Sequence, residues 1–235
     1  MNQHYARFLV LLVVSLLANA CSAVPIQEAP DPADYLYETP SIYYLYTPEN
    51  YTPDQKWPVF VGIHPEGGTG LDCWNTWQSY ADRDGFVLVC PSLAEADGNW
   101  HRQSGLIALA DILNQVARDV SIQEKFFFAG YSAGGQFVQA IMIEYSQIMS
   151  GAAILAAPYY YPPDTQARDI PVLVIIGQSE PSVAVQSAQL YVDQLRQDGY
   201  NVVAEFPTGL DHRLTRAMVE KTLELFRQVH PPLDG

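Results

Sequence analysis

The feature that most constrains this chain is a regular alternation of short, nearly unbroken apolar runs with stretches of helix length. Pro58–His64 (PVFVGIH), Phe86–Pro91 (FVLVCP), Lys125–Ala129 (KFFFA), Ala152–Ala157 (AAILAA), Pro171–Ile176 (PVLVII) and Val202–Phe206 are all of strand length. Runs that are apolar at every position suit strands buried on both faces, the environment of a parallel sheet. Between them lie helical patterns. Trp74, Trp77 and Ala81 share one face of Leu71–Asp82, and Leu106, Leu109, Leu113, Val116 and Val120 recur at three- and four-residue spacing. Ala133–Tyr145 reads as a third helix, Val185, Ala188, Val192 and Leu195 stripe a fourth, and Leu214, Met218, Phe226 and Val229 mark the last. Aromatic Tyr35–Tyr37 and Ser41–Tyr46 read as a hairpin-like opening pair of strands. Parallel neighbours need a crossover, and a helix supplies it. The expected fold is therefore α/β, a mostly parallel central sheet with helices on both faces.

The ends of the chain carry a different pattern. Met1–Ala20 holds one firm positive charge, Arg7, then an apolar run over Phe8–Leu17, and ends Ala18-Asn19-Ala20. That is the layout of an export signal with a small-residue cleavage site. Cys21 follows directly, as in the acylated cysteine of bacterial lipoproteins, but Ala18 stands where those motifs usually carry Leu. Secretion or periplasmic export therefore has two forms, free or lipid-anchored to a membrane through Cys21. Residues 21–34, rich in Pro, Ala and acids, read as a flexible tether, 35–230 as a single domain, and 231–235 as a tail. In an oxidising compartment Cys73 and Cys90 can pair and leave Cys21 over; the alternative is two buried free thiols. Lys and Arg number 12 against 26 Asp and Glu, a net charge of −14. A nucleic-acid surface needs a basic stripe to displace counterions, so nucleic acid is excluded as a partner.

In open parallel sheets the chemistry lies just past the carboxyl ends of the strands. Lys125–Ala129 runs into Gly130-Tyr131-Ser132-Ala133-Gly134-Gly135, and a helix follows at once. A G-x-S-x-G pattern between strand and helix lifts a strained serine above the sheet beside a helix N-terminus. The hydroxyl needs an imidazole to take its proton. His212, in the loop after the last strand, is the best-placed histidine. The imidazole in turn needs a buried acceptor. Glu180, in Gly177-Gln178-Ser179-Glu180-Pro181 after the strand before it, is the choice over Asp169 and over Asp211, which adjoins the base. Two N–H donors are required for the oxyanion: Ala133 on the helix side, and Glu66, with Gly67 second, in the loop His64–Gly70, because Pro65 has no N–H. Trp100, Tyr159 and Tyr160 follow strands and are candidates to line a substrate pocket. The short segment Pro158–Asp169 leaves no room for a large cap domain. The histidines sit at no metal-ligand spacing and there is no HExxH, so neither metal nor cofactor is expected.

Across Tyr35–Val229 the chain resembles the α/β-hydrolase superfamily. It looks like its small serine esterases of the poly(hydroxybutyrate) depolymerase, feruloyl esterase and dienelactone hydrolase kind. GYSAGG at Gly130–Gly135, the Gly-x-Ser-Glu before Pro181 and the Gly-x-x-His ending at His212 carry the likeness. Pro65 and Glu180 depart from the usual glycine and aspartate. The resemblance implies hydrolysis of a small or polymeric carboxylic ester through an acyl-enzyme. A serine peptidase of related fold and a catalytically silent binding scaffold are the alternatives.

Overall fold

The computed structural model describes residues 42–93 and 102–231. The export signal, Cys21, the tether, Tyr35–Tyr37, Trp100 and most of the C-terminal tail lie outside the described residues. In chain order the elements are β1 (Tyr43–Tyr46), β2 (Trp57–Ile63), α1 (Gly70–Asp84), β3 (Val87–Pro91), α2 (Arg102–Asp119), β4 (Ile122–Tyr131), α3 (Ala133–Glu144), β5 (Met149–Leu155), β6 (Val172–Ile175), α4 (Ser182–Gln197), β7 (Val202–Glu205) and α5 (Arg216–Val229). The seven strands form one sheet in the order β1-β3-β2-β4-β5-β6-β7. Among the described residues only β1 runs antiparallel, paired to β3 with Tyr44 opposite Cys90; the other pairings are parallel. The described part of the opening pair thus joins the sheet edge through β3. Strand β4 extends beyond the apolar KFFFA run because Ile122 and Tyr131 also pair with neighbouring strands.

Period-two alternation divides the strand side chains between two cores. Val59, Val61, Val89, Phe128, Ile154 and Val174 face α2, α3 and α4, where Ile112, Ile141 and Leu195 are fully buried. Phe60, Leu88, Phe127, Leu155 and Leu173 face α1 and α5. There Phe60 packs on Trp77, Phe86, Phe127 and Phe226 at centroid distances of 4.6, 5.1, 5.4 and 5.7 Å. Each fully buried phenylalanine contributes about 1.5–3 kcal/mol of transfer free energy, and favourable ring pairs add about 0.5–1.5 kcal/mol. Trp77 and Ala81 are buried as their spacing predicts. Trp74 instead leans over the edge strand against Tyr44 and Tyr46.

Helix α1 begins with a capping box in which Thr69 and Asp72 exchange backbone and side-chain hydrogen bonds, and it ends at Gly85 with φ 67°. It approaches the sheet so closely that a Cβ on Gly62 would lie 2.4 Å from Cys73 Sγ. Cys73 is joined to Cys90 on β3 by a disulfide with Cα atoms 5.6 Å apart, across 17 residues of chain. At its far end α1 is braced to α5, where Arg83 and Arg227 share Asp84 and Glu220. Replacing Cys73 and Cys90 together by Ala should lower the unfolding free energy by about 3 kcal/mol on the chain-entropy account. Urea denaturation of the oxidised protein and the double variant measures the difference.

Candidate active site

The winding of the sheet reverses between β3 and β4, which opens a crevice at the carboxyl ends of β2 and β4. Ser132 stands there, between the end of β4 and the first turn of α3, with φ 56° and ψ −123°. A positive φ in a residue with a Cβ costs of order 1–3 kcal/mol and persists only where the surroundings enforce it. Here they do. A Cβ on Gly130 would fall 2.1 Å from Gly134 O, and one on Gly134 would fall 2.4 Å from Ile63 O. The two glycines of the motif let strand and helix meet backbone to backbone, and Ser132 is the residue that makes the bend. Its N–H is held by Leu155 O at 2.8 Å.

The structure brings Ser132, His212 and Glu180 together. His212 Nε2 lies 2.9 Å from Ser132 Oγ. His212 Nδ1 lies 2.9 Å from both Glu180 oxygens. A carboxylate can only accept, so Nδ1 carries the proton and Nε2 presents its lone pair to the serine hydroxyl. The Glu180 side chain is 3% exposed and that of His212 44%: the acid is buried, while the base stays open to solvent. Two loops hold the pair. Gln178 N–H donates to Pro207 O and Ser179 N–H to Leu210 O. A Cβ on Gly177 would meet Leu210 O at 2.0 Å, so only glycine allows the loops after β6 and β7 to abut. The rival acids lie elsewhere: Asp211 pairs with Arg213 at 2.8 Å, and Asp169 is exposed before β6.

Tyr131, the variable residue of the motif, stacks on His212 with centroids 5.3 Å apart and an interplanar angle of 28°. Burial, then the Glu180 charge, pushes its phenol up, so it stays neutral. Sequence reasoning missed this contact, although the position beside Ser132 marks it. Ala133 is the first residue of α3, so its N–H has no carbonyl one turn back to donate to. Glu66 and Gly67 are exposed in a turn closed by Gly68 N–H to Pro65 O at 3.0 Å, with Gly67 at φ 72°. His64, just before them, is buried and bonded to Pro65 O and Leu93 N–H.

A cavity of about 330 Å³ opens beside Tyr131, walled by Ile63, His64, Trp77, Leu155 and Leu214, with Asp72 and Thr76 also lining it. Tyr160 lines a separate groove of about 450 Å³ with Tyr161, Pro162, Leu190 and Tyr191. Tyr159 is 61% exposed, and its backbone is fixed by Gln139, whose amide donates to Tyr159 O and accepts from Tyr161 N–H. Trp100 is outside the described residues.

The chain has the α/β-hydrolase fold. It superposes on a thermophilic esterase from Thermogutta terrifontis with a TM-score of 0.66 at 15% identity, covering 83% of this chain and 88% of that one. A Bacillus cereus carboxylesterase gives 0.64 at 15% identity over 84% and 98%. A Butyrivibrio proteoclasticus protein with ferulic acid bound gives 0.60 at 14% over 80% and 94%. By sequence the chain is similar to feruloyl esterase B of Thermothelomyces thermophilus, 28% identical over 153 residues. It is also similar to a bifunctional acetylxylan esterase/xylanase of Neocallimastix patriciarum, 22% identical over 158 residues. These alignments take in 60% and 65% of this chain, but 51% and 23% of the relatives, so the chain matches about half of the first and a quarter of the second. No protein-family model matches it.

A second Ser–His contact lies elsewhere on the sheet. Ser150, on β5, has its Oγ 2.7 Å from Nε2 of His230, the residue that caps α5. Burial lowers that imidazole from 6.5 to about 4. With the folded pKa depressed, the unfolded chain binds the proton first. Stability is therefore complete above the unfolded pKa near 6.5 and is lost as pH falls toward the folded value of about 4. His230→Gln should narrow the fall in urea midpoint across that window, as equilibrium unfolding at stepped pH will measure.

Proposed function

We propose that the chain is a serine hydrolase that cleaves carboxylic esters through an acyl-enzyme. The observation that carries this reading is the continuous Ser132–His212–Glu180 relay, with 2.9 Å at both links. His212 Nε2 takes the Ser132 proton as Oγ adds to the ester carbonyl carbon. Glu180 holds the imidazole in the required tautomer and stabilises the imidazolium. The carbonyl oxygen, now an anion, accepts from Ala133 N–H at the start of α3 and from Glu66 N–H, with Gly67 N–H second; the helix dipole adds to the stabilisation. Collapse breaks the bond to the leaving oxygen, which receives the proton from His212. Water then repeats the sequence: it gives a proton to His212, adds to the acyl carbon, and releases the acid as the proton returns to Ser132.

The names of the relatives specify feruloyl and acetylxylan esters, and we carry that class to this chain. The cavity walled by Trp77 and Tyr131 supports an aromatic acyl group over acetyl. Export, whether free or lipid-anchored through Cys21, belongs to the same proposal, since an esterase acting on material outside the cell must leave it. No helix among the described residues is long and apolar enough to cross a membrane.

Ser132→Ala should abolish labelling by a fluorophosphonate probe and lower kcat by several orders of magnitude with the fold intact. Glu180→Gln keeps the shape of the acid but removes its charge, and should lower kcat by about 10³–10⁴-fold. A panel of p-nitrophenyl acetate, methyl ferulate and the matching anilides should show ester cleavage, highest kcat/KM on ferulate, and little amide turnover. Undiminished activity in Ser132→Ala means the site is elsewhere. Equal rates on ester and amide favour a peptidase.

A further inference from the structure

We infer that His64 is a positioning residue that aims the Glu66 N–H at the oxyanion, an inference that rests on the ester-hydrolase reading of the site. His64 is 2% exposed at the end of β2. Two of its contacts fix its tautomer. Leu93 N–H can only donate, and it lies 3.0 Å from Nε2. Nε2 must therefore be bare, and the proton sits on Nδ1, which donates to Pro65 O at 2.7 Å. Burial holds the imidazole below its usual range, which keeps it in this neutral form.

The consequence falls on the next peptide unit. Pro65 O is held from two sides, by His64 Nδ1–H and by Gly68 N–H at 3.0 Å. The Pro65–Glu66 bond is trans, as are all peptide bonds among the described residues. In a planar trans unit the C=O and N–H point in opposite directions. Turning Pro65 O toward the buried ring therefore turns the Glu66 N–H away from it, out of the core. The His64 carbonyl, meanwhile, is packed against the first turn of α3: a Cβ on Gly134 would lie 2.7 Å from it. One residue thus touches the helix start that bears Ala133 and orients the peptide that bears Glu66. Through Leu93 it also ties the loop after β2 to the loop after β3, which Ser92 joins to α1 by accepting from Gly70 N–H at 2.8 Å.

Two near-isosteric replacements separate orientation from mere packing. In His64→Asn an amide N–H takes the place of Nδ1–H and can still donate to Pro65 O. In His64→Gln an amide oxygen takes the place of Nε2, so Leu93 N–H keeps its acceptor and Pro65 O loses its donor. Steady-state kinetics on methyl ferulate should show the Asn variant within a few-fold of wild type. The Gln variant should lose about 10–100-fold in kcat with little change in KM, somewhat less than deleting an oxyanion donor outright. A trifluoromethyl ketone, bound as the tetrahedral adduct, should weaken by the same factor in the Gln variant. Equal losses in both variants that follow their melting temperatures, or an unchanged inhibition constant in the Gln variant, overturn the inference. A readout that needs no activity accompanies these: long-range proton–nitrogen correlation spectra should show His64 protonated at Nδ1 and bare at Nε2. The opposite tautomer overturns the inference even in a fully active enzyme. Absence of fluorophosphonate labelling in the wild type instead removes the hydrolase reading beneath it.

Discussion

The whole site depends on one close contact, the meeting of backbones where α3 starts against the ends of β4 and β2. A Cβ at 130 or 134 would overlap a carbonyl oxygen or carbon of the adjoining segment. With glycine at both places the chain can leave the strand and enter the helix within a single residue. That residue, Ser132, bears the strain as a positive φ. The strain places the hydroxyl above the sheet, beside the Ala133 N–H that opens α3 with no carbonyl one turn back to donate to. The proposed nucleophile and oxyanion donor thus arise from one local geometry. The free energy that holds it comes from the buried faces of α3 and β4, where Phe128, Val138 and Ile141 are fully enclosed.

The acid and base are arranged by the same means on the other side of the crevice. The loop after β6 and the loop after β7 touch at Gly177 and Leu210, and two backbone hydrogen bonds cross between them. Glu180 and His212 are therefore set by one loop pair, Ser132 by the strand–helix elbow, and the sheet fixes the distance between the two. Burial of the carboxylate and exposure of the imidazole follow the division of labour. The acceptor keeps one tautomer in place best where water does not compete for its oxygens. A base that passes a proton to a leaving group and takes one from water, as proposed for His212, needs an open side.

The fold was legible because the apolar runs are long enough to be buried on both faces and the stripes between them keep a helical period. KFFFA followed by GYSAGG could hardly be anything but strand, elbow and helix. Ser132, His212 and Glu180 were legible from chain order and from standing just after strands. What escaped depends on three-dimensional approach rather than pattern. Gly177 looks in sequence like any turn glycine, and only the neighbouring loop shows why no other residue fits. Tyr131 occupies a variable place in its motif, and its stacking on His212 requires the last loop to be folded over it. The tautomer of His64 is decided by Leu93, a residue 29 positions away. Tyr159 and Tyr160 were candidates to line a substrate pocket, yet the adjacent tyrosines turn different ways: Tyr159 toward solvent, Tyr160 onto Tyr191 in a groove of its own.

The contact between Ser150 and His230 shows what the proximity of a hydroxyl to an imidazole does not achieve. At 2.7 Å it is shorter than the contact at Ser132. Yet His230 is buried, its pKa is driven down, and among the described residues no carboxylate meets its other nitrogen. Taking the serine proton there would create an imidazolium that burial disfavours and that no carboxylate holds by a hydrogen bond among the described residues. Ser150 lies within β5 and is not followed by an α-helix, so it lacks the helix N-terminus that adjoins Ser132. At Ser132 each of these deficits is filled: a buried carboxylate behind the imidazole, solvent at its edge, and a helix N-terminus beside the nucleophile. The proposed reactivity resides in that arrangement of charge and helix-start donor, which the elbow and the loop pair create before any substrate arrives.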